Sequence, residues 1–187
     1  MAEDRLPPIA EASWTEEQRR CAMEIINGPR GALLPPFVPL LRSPELMQHA
    51  QRMGEYLRYR SALGQRLSEL AILITSRHWT QQIEWGIHAP IALREGVAAD
   101  TIEALSEGRR PAAMSSDEAL VYDFSIELHQ NRGVSDKTWA GVVERFGEQG
   151  AVDLIGINGY YALLSMVMNA ARTPSPAAAP RLSNLAG

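Results

Sequence analysis

The stretch Ser68–His88, with the sequence SELAILITSRHWTQQIEWGIH, decides the fold. Its first half belongs to a segment, about 65–78, in which apolar side chains cover most of a helical surface, and this pattern predicts a helix packed on more than one side. A second helix is expected to begin at Thr80, which can act as its N-cap. If these two helices fold back on each other as an antiparallel hairpin, the turn lies between His78 and Trp79.

Polar side chains on this hairpin predict a site. Glu84 and His88 are spaced i,i+4 and Gln81 lies one turn before Glu84, so the three share one helix face. Glu69 and His88 are equidistant from the predicted turn, so we expect their side chains to lie side by side. A glutamate beside a histidine favours the imidazolium, which suits a proton donor near neutral pH. The same i,i+4 pair is also compatible with a solvated helix face that carries no chemistry.

Helix signals also dominate the rest of the chain. Capping-box patterns at Ser13/Glu16 and Ser115/Glu118 each predict the start of a helix. No segment of useful length shows the alternation of apolar and polar residues that a half-buried strand requires. The sequence therefore predicts an all-α fold.

The chain is long enough, at 187 residues, to bury one sizeable core. We predict a single helical domain over 1–172, closed by an apolar helix of about 151–172. The segment 173–187 is rich in proline and alanine and is expected to be a disordered tail. The most apolar stretch, 154–168, is interrupted by glycine and asparagine and favours a buried helix over a membrane span.

Composition and charge favour a soluble protein that acts on small molecules. The chain is 45% hydrophobic and 21% charged, and its net charge of −4 comes from interspersed signs. No basic stripe is present for a nucleic-acid backbone. The N-terminus lacks the apolar segment of a secretory signal. The single cysteine, Cys21, cannot form an intramolecular disulfide, and together these features predict a cytoplasmic protein.

The spacing of the polar residues resembles a known family pattern. Eleven residues separate Glu69 from Gln81, two separate Gln81 from Glu84, and three separate Glu84 from His88. This spacing is similar to the motif of the carboxymuconolactone decarboxylase and AhpD-like superfamily. Peroxidase members of that superfamily carry cysteine at the positions of Gln81 and Glu84. Both cysteine positions are replaced in this chain, and both flanking residues are kept.

Residues around the motif extend the resemblance. Trp85, the His88–Pro90 turn and the segment Arg94–Val97 are typical of cysteine-free members, and the similarity is most specific over Leu33–Gly108. The resemblance implies an AhpD-like helical bundle with a central antiparallel helix hairpin. It also implies a homo-oligomer, a trimer or a hexamer.

The resemblance and the replaced cysteines together predict the chemistry. Hydroperoxide reduction in the superfamily needs a thiolate and a resolving thiol, which neither Gln81 nor Glu84 can supply. Acid/base chemistry survives the change, and the resemblance implies a cofactor-free enzyme acting on a small carboxylated or lactone-like substrate, with decarboxylation as the leading reaction. His88 would be the acid/base, and Glu69 and Glu84 would tune it.

Other readings of the same residues stay open. An isomerase, dehydratase or hydrolase would use the same proton transfers. An AhpD-like protein that shares the peroxidase fold but lacks the CxxC pair is a further reading. In a non-catalytic oligomeric binding protein, the polar row would be only a buried hydrogen-bond network.

Further residues of the hairpin are expected to contact the substrate. Gln81 is a possible hydrogen-bond donor, while Trp79 and Trp85 can form walls of the cavity and His78 can border it. Tyr160 and Tyr161 lie on the last helix, where one hydroxyl can reach the pocket. Neither an HExxH motif nor a similar spacing predicts a metal ion.

Overall fold

The computed structural model describes residues 3–176 and 180–182, and within these residues it contains helices and no strand. The predicted all-α fold is therefore confirmed. A 3-10 turn at Glu11–Ser13 precedes eight α-helices in the described part of the chain. They are α1 (Glu16–Ile26), α2 (Phe37–Leu40), α3 (Pro44–Tyr59), α4 (Gly64–His78), α5 (Gln82–Arg94), α6 (Ala99–Ser106), α7 (Ser116–Asn131) and α8 (Asp136–Ala171).

One of the two predicted capping boxes is correct. The Ser115 hydroxyl accepts from the backbone N–H of Glu118 at 3.3 Å, and the Glu118 carboxylate accepts from the backbone N–H of Ser115 at 2.8 Å. The box predicted at Ser13 and Glu16 is wrong, because Ser13 lies in the preceding 3-10 turn. Thr15 and Gln18 form the capping box of α1 instead.

Helix α4 is the centre of the bundle. Every residue from Leu67 to Arg77 is buried, and α4 packs against α3, α5, α6, α7 and α8. A helix surrounded in this way must be apolar around its whole circumference, as its sequence indicates. The few polar side chains on α4 are consequently held inside the protein.

The turn between α4 and α5 differs in detail from the prediction. Thr80 adopts a left-handed backbone conformation, with φ of 48°, and does not cap α5. The N-cap is Gln81, whose side-chain oxygen accepts from the backbone N–H of Ile83 at 2.6 Å. A left-handed residue ends α4 and reverses the chain within three residues. This short reversal brings α5 back along α4.

Helix α8 is the longest apolar element. Gly147, with φ of 73° and ψ of 172°, interrupts it between two helical parts. By length and composition α8 could cross a membrane, with a mean hydropathy of 1.4 over 18 residues, but 56% of that window is buried inside the protein. Packing against α3, α4 and α7 accounts for its apolar character.

The disordered tail predicted over 173–187 stays a prediction, and the structure describes Leu182 within that segment. Leu182 is buried, and its backbone N–H donates to the side-chain oxygen of Gln82 at 3.0 Å. Leu182 belongs to the hydrophobic core, and burial of its apolar side chain there is favourable. Residues 177–179 and 183–187 of the predicted tail lie outside the described residues.

Candidate functional site

The hairpin holds a buried histidine between two carboxylates. The Nδ1 atom of His88 lies 2.6 Å from Oε2 of Glu69, and its Nε2 atom lies 3.4 Å from Oε2 of Glu84. The three side chains are no more than 4% exposed. Glu69 comes from α4, while Glu84 and His88 come from one face of α5. The structure thus brings together the three residues predicted to be catalytic.

Arg58 of α3 adds a second cation to this group. Its Nε atom lies 3.7 Å from Oε1 of Glu69, and its side chain is 15% exposed. Arg58 therefore pairs with one carboxylate oxygen of Glu69, and His88 pairs with the other. With His88 protonated, two carboxylates and two cations balance one another in the interior, which is the condition under which buried charges are tolerated.

The electrostatic setting keeps His88 charged. Burial alone would lower the pKa of His88, but the charges and hydrogen bonds of Glu69 and Glu84 outweigh burial and raise this pKa to about 9. His88 is therefore an imidazolium at neutral pH, with a proton on each ring nitrogen. The Nδ1 proton lies in the short contact with Glu69, and the Nε2 proton, in the longer contact with Glu84, is the one that can be transferred.

A small cavity lies against His88 and Glu84. Its volume is about 20 Å³, which is enough for one water molecule. The lining comes from α2, α3, α5, α8 and the segment 27–36 between α1 and α2. It consists of Arg30, Leu34, Pro36, Phe37, Arg58, Glu84, Ile87, His88, Tyr160, Tyr161 and Leu164.

Several polar atoms of the cavity lining are buried without a hydrogen-bond partner among the described residues. They are Nε and Nη2 of Arg30, Oε1 of Glu84 and the hydroxyl oxygen of Tyr160. Buried polar groups are normally paired, so such a concentration at one cavity is unusual and points to a bound molecule or water. The cavity therefore offers two donors of Arg30, an acceptor of Glu84 and a hydroxyl to a ligand.

Both tyrosines of α8 reach the site. The edge of the His88 ring packs against the Tyr161 ring, with centroids 5.0 Å apart and planes at 86°. Burial raises the pKa of both tyrosines, so both hydroxyls stay protonated at neutral pH. Tyr160 is thus an uncharged hydrogen-bond donor at the cavity.

Gln81 and Trp85 were predicted to contact the substrate, but the structure places both away from the cavity lining. The amide of Gln81 caps α5 and donates to Oδ1 of Asn169 at 2.8 Å, so both of its ends already have protein partners. Trp85 is 2% exposed and belongs to the hydrophobic core. Helix periodicity predicted that Gln81, Glu84 and His88 share one helix face; Glu84 and His88 do, whereas Gln81 is the extended N-cap residue that precedes α5.

His78 and Trp79 also lie away from His88. His78 borders a different cavity, of about 220 Å³, together with Arg77 and Thr80. The His78 ring stacks on His129 at 4.5 Å, and the Trp79 backbone carbonyl accepts from the Asn169 side chain at 3.1 Å. Both residues lie at the turn end of the hairpin, whereas His88 is two helical turns further along α5.

No sequence pattern predicted Arg30 or Arg58 as site residues. Arg58 is the penultimate residue of α3, and Arg30 lies in the segment before α2; neither position has a local sequence signal for burial. One available hint was that Glu69 lies in the segment of about 65–78, which is predicted to be packed on more than one side, since a buried carboxylate needs a cation. The described residues contain no cluster of three or more His, Cys, Asp or Glu side chains that could hold a metal ion.

Fold and site together define an all-helical bundle with an acid–histidine–acid group buried in its central hairpin. No protein-family model matches the chain, and no curated protein matches it in sequence. Solved structures do match it, and they place its fold among AhpD-core proteins.

Two of these structures cover nearly the whole chain. The alkylhydroperoxidase AhpD core of an uncharacterized peroxidase-related protein from Ralstonia eutropha JMP134 is 15% identical, with a TM-score of 0.76 over 92% of each chain. An uncharacterized peroxidase-related protein from Silicibacter sp. TM1040 is 14% identical, with a TM-score of 0.74 over 92% of this chain and 90% of the other. At such identities the likeness shows the fold alone. The predicted AhpD-like bundle is confirmed, and the carboxymuconolactone decarboxylase family is not.

Proposed function

We propose that the protein is a cofactor-free acid/base enzyme in which His88 transfers a proton to a small carboxylated or lactone-like substrate. The observation that carries this proposal is the buried imidazolium with a carboxylate at each ring nitrogen, next to a cavity. Such a group is charged at neutral pH and keeps its ring oriented, as a general acid requires. The best single reaction is decarboxylation.

In this reaction the bond between the substrate and its carboxylate breaks, CO₂ leaves, and the bonding electrons pass into a conjugated carbonyl to form a dienolate. His88 then delivers its Nε2 proton to carbon, so a carboxylate and a proton become CO₂ and a protonated product. The neutral imidazole of His88 keeps the proton on Nδ1, hydrogen-bonded to Glu69, and its Nε2 atom then takes up a new proton from solvent.

The names of the structural neighbours suggest peroxide chemistry, but the residues of this chain do not support a dithiol mechanism. The positions that would carry the two thiols hold Gln81 and Glu84, and the one cysteine of the chain, Cys21, is buried in α1. A thiolate and a resolving thiol are both needed to reduce a hydroperoxide and close a disulfide. We therefore expect no peroxide-dependent oxidation of a dithiol.

One observation favours a non-catalytic reading, because a cavity of about 20 Å³ admits no substrate without movement. In that reading the acid–histidine–acid group only stabilises the bundle. It predicts no saturable, pH-dependent turnover of any small acid. Isomerisation, dehydration or hydrolysis at the same group predicts turnover without release of CO₂.

The test is CO₂ release from a panel of carboxylated lactones and β-keto acids. We expect turnover by the wild-type protein, its loss in His88→Gln, and full activity in the matched control His49→Gln, whose side chain is 70% exposed. Full activity in a folded His88→Gln protein would overturn the proposal.

Glu84→Gln is a second variant that keeps the Glu69–His88 contact, in case His88→Gln does not fold. Removing one carboxylate lowers the pKa of His88, so the alkaline fall of kcat should move to lower pH. An alkaline limb that stays in place in Glu84→Gln would contradict the assignment of His88 as the proton donor.

A further inference from the structure

The cavity beside His88 is lined by more positive than negative charge. Glu69 and Glu84 are balanced by Arg58 and the imidazolium of His88, which leaves the guanidinium of Arg30 as an excess positive charge at the cavity. A single negative charge bound in the cavity would neutralise this excess. Charge balance thus selects a monoanion as the ligand.

Arg30 is placed to bind such an anion. Its Nε and Nη2 atoms are buried without a hydrogen-bond partner among the described residues, and its guanidinium carbon lies 5.1 Å from the centre of the Phe37 ring. Stacking on Phe37 holds the guanidinium plane, and Nε and Nη2 form the fork that binds both oxygens of a carboxylate. The Arg30 side chain as a whole is half-buried, but leaving its two buried donor atoms unpaired is costly, so they are suited to a ligand.

The remaining unpaired atoms fit the same ligand. The Tyr160 hydroxyl belongs to a side chain that is 2% exposed, and it can donate to a carboxylate oxygen. Oε1 of Glu84 can accept a hydrogen bond from a hydroxyl or enol elsewhere on the molecule. An organic carboxylate with one hydrogen-bond donor would therefore pair all of these atoms.

We propose that Arg30 and Tyr160 form a carboxylate-binding site that anchors an organic acid next to the Nε2 atom of His88. This proposal rests on the proposed function, in that the anchored acid is the substrate to which His88 gives its proton. Arg30 is a binding residue here, and it takes no part in proton transfer.

The segment 27–36 is the part of the cavity wall that can admit the ligand. It supplies Arg30, Leu34 and Pro36, whereas the other lining residues belong to helices α2, α3, α5 and α8. Gly31 has φ of 69°, and a Cβ atom added to it would meet nothing within 4 Å. Displacing this segment enlarges the cavity without breaking a helix, and the bound carboxylate would draw Arg30 and the segment back.

Binding is measured by calorimetric titration with formate, acetate and benzoate, and with acetamide as the uncharged analogue of acetate. We expect saturable binding of the carboxylates and not of acetamide. Arg30→Gln should weaken carboxylate binding by about 10- to 100-fold, because it removes a charge-assisted pair. Arg30→Lys should recover part of the affinity, and the exposed control Arg20→Gln should bind as the wild type does.

Hydrogen exchange gives a second measurement that does not depend on catalysis. Benzoate should slow exchange of the backbone amides in 27–36 in the wild-type protein and leave them unchanged in Arg30→Gln. Absence of saturable carboxylate binding, or equal affinities in wild type and a folded Arg30→Gln protein, would overturn the carboxylate site.

The two proposals fail separately. If Arg30→Gln loses carboxylate binding while His88→Gln keeps full turnover, the carboxylate site stands and the proposed function fails. If His88→Gln loses turnover while Arg30→Gln binds carboxylates as before, the proton donor stands and the site proposed here fails. With a true substrate, Arg30→Gln should raise KM more than it lowers kcat, and His88→Gln should lower kcat.

Discussion

The Nδ1 atom of His88 lies 2.6 Å from Oε2 of Glu69, although the two residues are 19 positions apart and belong to different helices. The short turn between α4 and α5 places them at the same height in the bundle. Because both are almost completely buried, the Glu69 carboxylate stabilises the imidazolium form of His88. The titration of His88 therefore contributes directly to the stability of the protein.

We expect stability to fall as the pH rises from 6.5 to 9. The unfolded-state pKa of His88 is near 6.5 and its folded-state pKa is raised to about 9, so in this range only the folded state holds the proton. The contribution is fully present below pH 6.5 and is lost by pH 9, a loss of roughly 3 kcal/mol. Urea unfolding across this range measures it.

His88→Gln tests the origin of this alkaline loss. The variant should be less stable than the wild type, and its stability should no longer fall between pH 6.5 and pH 9. His49→Gln is the matched control, and its pH profile should follow that of the wild type. A wild-type slope retained in folded His88→Gln would assign the loss to other groups.

His129 should cause a second, separate loss of stability at acid pH. Burial, followed by the charge of the neighbouring His78, lowers the pKa of His129 from 6.5 to about 4. Between these values the unfolded state binds the proton and the folded state does not, so stability is lost as the pH falls from 6.5 towards 4. The same urea titrations should show this acid loss in the wild type and a smaller one in His129→Gln. An unchanged acid limb in that variant would contradict the prediction.

The site could be predicted in part because Glu69, Glu84 and His88 are related by helix geometry and one short turn. These relations are local in sequence. Arg30 and Arg58 enter the site from other elements, and their positions depend on how α2 and α3 pack on the hairpin, which no local pattern encodes. The prediction of Thr80 as the N-cap of α5 was wrong for a similar reason. Gln81 can act as the N-cap only because the chain reverses at Thr80.

The exposed face of α8 predicts self-association. Val152, Ile155 and Met166 are 61%, 41% and 44% exposed, which is unusual for large apolar side chains on one helix. We expect a homo-oligomer, a trimer or a hexamer, and we expect Val152→Glu with Ile155→Glu to dissociate it. Light scattering after gel filtration measures the mass, with Met23→Glu on α1 as the control. A monomeric wild-type protein would contradict this prediction.

Gly54 of α3 is required by the position of Tyr160. A Cβ atom at Gly54 would overlap the Tyr160 hydroxyl, whereas one at Gly159 of α8 would meet open space. Gly54→Ala should therefore destabilise the protein by about 1–3 kcal/mol through overpacking. Gly159 lies on the exposed face of α8, so it is tested in the Val152→Glu, Ile155→Glu protein, in which this face is uncovered. There Gly159→Ala should stabilise α8 by roughly 0.5–1 kcal/mol, because alanine loses less backbone entropy in a helix. Thermal unfolding compares each variant with its own parent protein. Because Tyr160 lines the cavity, its displacement in Gly54→Ala should also weaken acetate binding. A Gly54→Ala protein with wild-type stability and unchanged acetate affinity would show that Tyr160 does not need its close approach to Gly54.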